Sequence, residues 1–115
     1  MTELVFRAQG APEAALSVRV NFGVFAGRNA TQAEIEELAG RLRTEVEAFA
    51  ILAEERHEFG DDRETSLRQV VIEVAPEHAG YDVDELAGRV LRIANGWATA
   101  CIHSRSDLGE LGSEL

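Results

Sequence analysis

The chain has 115 residues, 45% hydrophobic and 28% charged, a size and balance that suit one folded core and exclude a disordered chain. Its 21 acidic residues against 11 basic ones give a formal charge of −10, and every basic residue is Arg. Such a surface repels polyanions, which excludes direct nucleic-acid binding and docking on acidic lipid as default functions.

The single cysteine, Cys101, excludes an intrachain disulfide and a Cys-based zinc site. No apolar run reaches membrane-spanning length, and the first ten residues lack the basic flank and apolar stretch of a signal peptide, so a cytoplasmic setting is expected.

Residues 1–15 form an N-terminal segment in which the apolar stretch Leu4–Ala8 is a candidate extra strand, broken off by Gly10 and Pro12. From Leu16 to Val24 the chain alternates: Leu16, Val18, Val20, Phe22 and Val24 share one face of a half-buried strand. Gly27–Ala30 reads as a loop. Thr31 with Glu34 forms a capping box, and Ile35, Leu38, Ala39, Leu42 and Val46 lie on one helical stripe behind it.

Residues 49–58 and Leu67–Ala75 read as two strands of a hairpin, joined through the turn residues Gly60, Asp61 and Asp62, with Pro76 ending the second. Asp82 and Glu85 open a second helix, with Val83, Leu86, Ala87, Val90, Ile93 and Ala94 as its stripe. Asn95 and Gly96 form a helix-stop signal. Residues 106–115, with three acidic residues, two Gly and three Leu, are expected to be a flexible acidic tail.

An internal repeat decides how Trp97–Ser104 is read. Glu37–Leu42 (ELAGRL) matches Glu85–Val90 (ELAGRV) at an offset of 48 residues, which puts Phe49 on Trp97 and Ala53 on Cys101. Each half then reads strand, helix, strand, and Trp97–Ser104 becomes the last strand. Two such units imply an α+β fold over residues 16–105. It is the ferredoxin-like βαββαβ sandwich, a four-stranded antiparallel sheet with two helices on one face.

Candidate chemistry is thin. His57 would share a strand face with Glu55, but two ligands are too few for a metal site, and a solvated strand end explains them better. Cys101 and His103 would share one face of the last strand. A buried small hydrophobe is the plainer account of the thiol. No nucleophile elbow, P-loop or dinucleotide pattern is present, so no catalytic residue, metal or cofactor is assigned. Gly40 and Gly88 occupy equivalent mid-helix positions, through either a close approach of another chain or tolerated drift.

The open sheet face would carry Arg19, Asn21, Phe25, Leu67, Gln69, Val71 and Glu73, joined by Trp97. Burial of this half-apolar surface against a second copy predicts a homodimer. The strand-to-helix loop, with Gly27, Arg28, Asn29 and Thr31, is the candidate site for a small anionic ligand at a helix N-terminus.

The order of elements resembles the ferredoxin-like superfamily. Within it, Val24–Ala30 with Gly27, followed by Ile35, Leu38 and Leu42, resembles the ACT-type regulatory domain over about residues 16–104. That resemblance implies a loop that helps bind an amino-acid effector at a subunit interface. The expected function is a small, non-catalytic, oligomeric binding or regulatory protein. The alternatives are an enzyme using the open face of a dimer, with His57 or His103 as acid–base, and an acidic protein that engages a basic partner.

Overall fold

A computed structural model describes the backbone of residues 3–8, 14–60 and 63–114, with their side chains except those of 56, 58, 63–67 and 104–114. Among these residues, β1 (Val5–Ala8), β2 (Leu16–Val20), β3 (Ala50–Gly60) and β4 (Arg63–Val74) form one antiparallel sheet in the order β1-β2-β4-β3. The helices are α1 (Phe22–Ala26), α2 (Gln32–Leu42), α3 (Pro76–Ala79) and α4 (Val83–Glu114). The class is α+β, as expected, and the sheet has the expected four antiparallel strands.

The register sorts the residues into two faces. Val20 lies opposite Val5 and Val70, Val18 opposite Ile72, Leu16 opposite Val74, and Ile72 in turn opposite Ile51. These side chains build the core together with Leu38 and Leu42 of α2 and the buried stripe of α4. Each large apolar side chain removed from water contributes about 1.5–3 kcal/mol. Arg7 of β1 reaches α4 through an ion pair to Asp84 at 2.6 Å. The path β2–α1–α2–β3 leaves a gap between its strands that β4 fills, a split β-α-β unit.

Two expectations are corrected. The strand read as running to Val24 ends at Val20, and α1 follows. Asn21 breaks the extended backbone at φ −79°, ψ 57°, and its carboxamide donates to the Glu3 carbonyl at 2.5 Å. Phe22 and Ala26, one helical turn apart, stay in the core, while Val24 and Phe25 are 48% and 43% exposed. Gly27 closes α1 in the left-handed region at φ 72°, where a side chain would be strained.

The second correction is larger. Trp97–Ser104 is not a strand; it continues α4 straight through Asn95 and Gly96. Leu86, Ala87, Val90, Ala94, Trp97, Ala98 and Cys101 are all buried, and their spacing of threes and fours never leaves the helical stripe. Asn95 and Gly96 sit on the exposed side of α4, where Gly costs about 1 kcal/mol relative to Ala but breaks nothing. The repeat therefore relates two helices, α2 and α4, and stops there. The chain order is ββααββαα, not βαββαβ, and β1 is part of the sheet. The expected turn residues Asp61 and Asp62 lie outside the described residues, as do the side chains of the expected tail.

Candidate functional site

The loop singled out from the sequence is tied down by its own helix. Thr31 Oγ1 accepts from the Glu34 N–H at 3.2 Å, and Glu34 Oε1 accepts from the Thr31 N–H at 2.9 Å, completing the capping box. Arg28 grips the same carboxylate with both terminal nitrogens, Nη1 to Oε1 at 2.7 Å and Nη2 to Oε2 at 2.8 Å. Its Nη1 also donates to the Asn29 carbonyl at 2.9 Å, and the guanidinium lies 5.3 Å above the Phe22 ring. The chain's own Glu34 thus fills the place an anion would take at this helix start, and Arg28 is committed to it.

The same residue ties α2 to α4. The Trp97 indole N–H donates to the Glu34 carbonyl at 2.8 Å, and the Trp97 ring packs on Phe22 with centroids 5.3 Å apart. Trp97 is fully buried, so it lies in the core and not on the open sheet face. The Arg28 guanidinium holds the Glu34 carboxyl down to about 2, against the pull of partial burial. Burial, reinforced by the adjacent Glu34 carboxylate, pushes the Cys101 thiol up to about 12.

Cys101 and His103 do not form a pair. On a helix, residues two apart point away from each other, and His103 is exposed while Cys101 is buried. His57 faces Glu55 at 3.9 Å on β3 and His78 is exposed on α3. Among the described residues, no three metal-ligating side chains converge.

The outer sheet face carries Arg19, Gln69, Val71 and Glu73, as the alternation implied. Its centre is sealed by polar side chains. Arg19 crosses β4 to reach Glu54 on β3 at 3.2 Å and donates to Gln69 Oε1 at 3.0 Å; Gln69 Nε2 donates to Asn21 Oδ1 at 2.6 Å. Val71, Gln69 and Asn21 are buried beneath this network. Leu52, next to Val71 in the same cross-strand row, stays 45% exposed. Phe25 belongs to α1 and not to this face, and the Leu67 side chain lies outside the described residues.

Two cavities border the sheet. One, of about 320 Å³, opens between the α1–α2 loop and the β3–β4 ribbon, with Phe22, Gly23, Asn29, Ala30 and Arg68 in its wall. The other, of about 390 Å³, lies at the opposite end of the ribbon, against Phe49, Glu73, Glu77 and His78. Of the four predicted ligand residues, Asn29 lines the first cavity; Gly27 caps α1, and Arg28 and Thr31 serve the Glu34 cap. Arg68 was missed. Its role follows from strand register, which leaves no local mark in the sequence.

No protein-family model matches the chain, and no curated protein or solved structure matches it.

Proposed function

We propose that the chain is a non-catalytic binding or regulatory module that works as a homodimer, on a circularly permuted ferredoxin-like sheet. The support for the permutation is the strand order. In βαββαβ, two split units put the first and third strands in the middle and the last strand beside the first. Here β2, β3 and β4 with α2 and α4 follow that plan, and β1, from the start of the chain, occupies the edge beside β2.

The observation that carries the dimer is the outer face. All the core helices pack on the opposite side, and the row Phe6–Arg19–Val71–Leu52 crosses all four strands with Leu52 left 45% exposed. A second copy seated there would bury Leu52 and desolvate an Arg19–Glu54 pair that is already largely enclosed. The two strongly shifted titratable groups favour a non-catalytic role. Glu34 stays ionised and Cys101 stays protonated across the neutral range, so neither exchanges a proton there.

Two chains of charge −10 repel at long range, and salt screens that repulsion. Sedimentation equilibrium at low and moderate salt should therefore show a dimer that tightens with salt, and Leu52→Glu should weaken it at least about tenfold. A monomer at both salt concentrations overturns the reading.

A further inference from the structure

We propose that the cavity between the α1–α2 loop and the β3–β4 ribbon is a binding site for a small organic anion, a carboxylate or phosphate monoester on a compact apolar body, with Arg68 as its anchor. The volume of about 320 Å³ falls at the lower end of the ~300–1,000 Å³ span of small-molecule sites. The walls supply both kinds of surface such a ligand needs. Phe22, Ala30, Ala53 and Val70 are apolar, and Asn29 and Arg68 bring a carboxamide and a guanidinium.

The pairing of the charged residues points to an anion. Three charged residues line the cavity, Glu54, Glu55 and Arg68, and of the two neighbours on β3 the Glu54 side chain turns to the outer face. Glu54 is held by Arg19 at 3.2 Å, and Glu55 faces His57 at 3.9 Å. Arg68 has no hydrogen-bond or ion-pair partner among the described residues, although Glu55 lies directly across the ladder from it. Arg68 is thus the cation at the cavity with donors to spare, and a guanidinium fork is suited to two oxygens of a carboxylate or phosphate.

The position of Arg68 is fixed by a close approach. A Cβ on Gly23 would stand 2.6 Å from Arg68 Cβ, closer than real side chains come, and a tight 3.0 Å from its carbonyl oxygen. Only glycine lets α1 settle against β4 here. A third, smaller cavity is lined by Gly23, Val24, Gly27 and Arg68 beside this contact. The backbone of Arg68 is clamped against α1 while the residue stays exposed to a ligand.

The test is an amide chemical-shift titration of the full chain at physiological salt, with benzoate, phenyl phosphate and neutral benzamide as probes. Arg68→Gln, Arg68→Lys and Arg41→Gln are compared with the parent, each checked for an unchanged Tm. The expected result is that the anions shift the amides of Gly23, Asn29, Ala30 and Gln69 and benzamide does not. Arg68→Gln should weaken binding at least about tenfold, Arg68→Lys less, and Arg41→Gln not at all. Tighter benzoate assigns a carboxylate ligand; tighter phenyl phosphate assigns a phosphate monoester. Equal shifts with benzamide, an unchanged Kd in Arg68→Gln, or no shift at the cavity amides overturns the proposal.

Discussion

Replacing Glu34 with Gln keeps the shape of the side chain and removes its charge, which isolates the electrostatic part of the junction between α2 and α4. The carboxylate is held by Arg28 at 2.7 and 2.8 Å and by the Thr31 N–H at 2.9 Å. Its acidity moves from 4.5 to about 2 on folding. Taken at face value that shift corresponds to a ceiling of about 3 kcal/mol. Water still reaches the pair, with 29% of the Arg28 and 17% of the Glu34 side chain exposed. A loss of about 1–2 kcal/mol at pH 7 is therefore expected, or roughly 5–10 °C in Tm. The sign follows from the proton count. Between about 2 and 4.5 the unfolded chain binds the Glu34 proton and the folded chain does not, so stability rises with pH through that window. The contribution is complete above about 4.5 and fades as pH falls toward 2. Urea unfolding of the parent and Glu34→Gln at pH 7, 4 and 2.5 measures it. The two curves should converge as the solution is acidified. A gap of the same size at every pH would refute the electrostatic account and leave only the loss of shape or packing.

Three further outcomes are expected. Gly40→Ala, Gly88→Ala and Gly96→Ala place a Cβ in open or ordinary space on helix surfaces and should each raise stability by about 0.5–1 kcal/mol, whereas Gly23→Ala should lower it by about 1–3 kcal/mol, all read by urea unfolding. Loss of dimerisation in Gly40→Ala or Gly88→Ala would instead assign those glycines to a close approach between chains. Trp97→Phe removes the indole donor to the Glu34 carbonyl and should cost about 1–3 kcal/mol; in the parent, the emission of this single Trp should be blue-shifted and hard to quench with iodide. Cys101, buried and held protonated up to about 12, should react with a disulfide reagent only as fast as the protein opens, and rapid stoichiometric labelling of the native protein would contradict its placement.

The parts of the fold legible from the sequence are those whose signals are local. Thr31 and Glu34 form the predicted cap because both partners of the motif lie within one turn. The β3–β4 hairpin follows from two apolar-alternating runs around a polar turn. Phe22 and Val24 misled because an alternation of two also satisfies a short helix when only Phe22 and Ala26 need burial. Arg28 and Asn29 were picked out as neighbours in one loop, yet they serve different places in the structure. Arg28 turns onto Glu34, Asn29 lines the cavity, and the partner cation, Arg68, arrives from a strand thirty-nine residues later. Only the sheet register brings these together.

The largest misreading comes from a repeated motif whose two copies lead into different structures. The repeat of Glu37–Leu42 in Glu85–Val90 is real, but it reports a shared demand on two helices that cover one sheet, namely an apolar stripe with an acidic residue and an Arg beside it. It carries no information about the residues beyond either helix. After α2, Val46 and Phe49 keep the same spacing of threes and fours, yet the chain turns at residues 43–45 and returns to the sheet as β3. After Ala94, Trp97, Ala98 and Cys101 have that same spacing, and there the helix continues with all three buried. Asn95 and Gly96 do not stop α4, because about 1 kcal/mol of glycine cost is outweighed by burial of a Trp and a Cys beyond it. Once the helix continues, the sheet has no last strand to receive, and the edge beside β2 goes to Val5–Ala8 from the other end of the chain. The continued helix and the N-terminal strand are thus one consequence: the second half could keep its helix long because the first residues already completed the sheet.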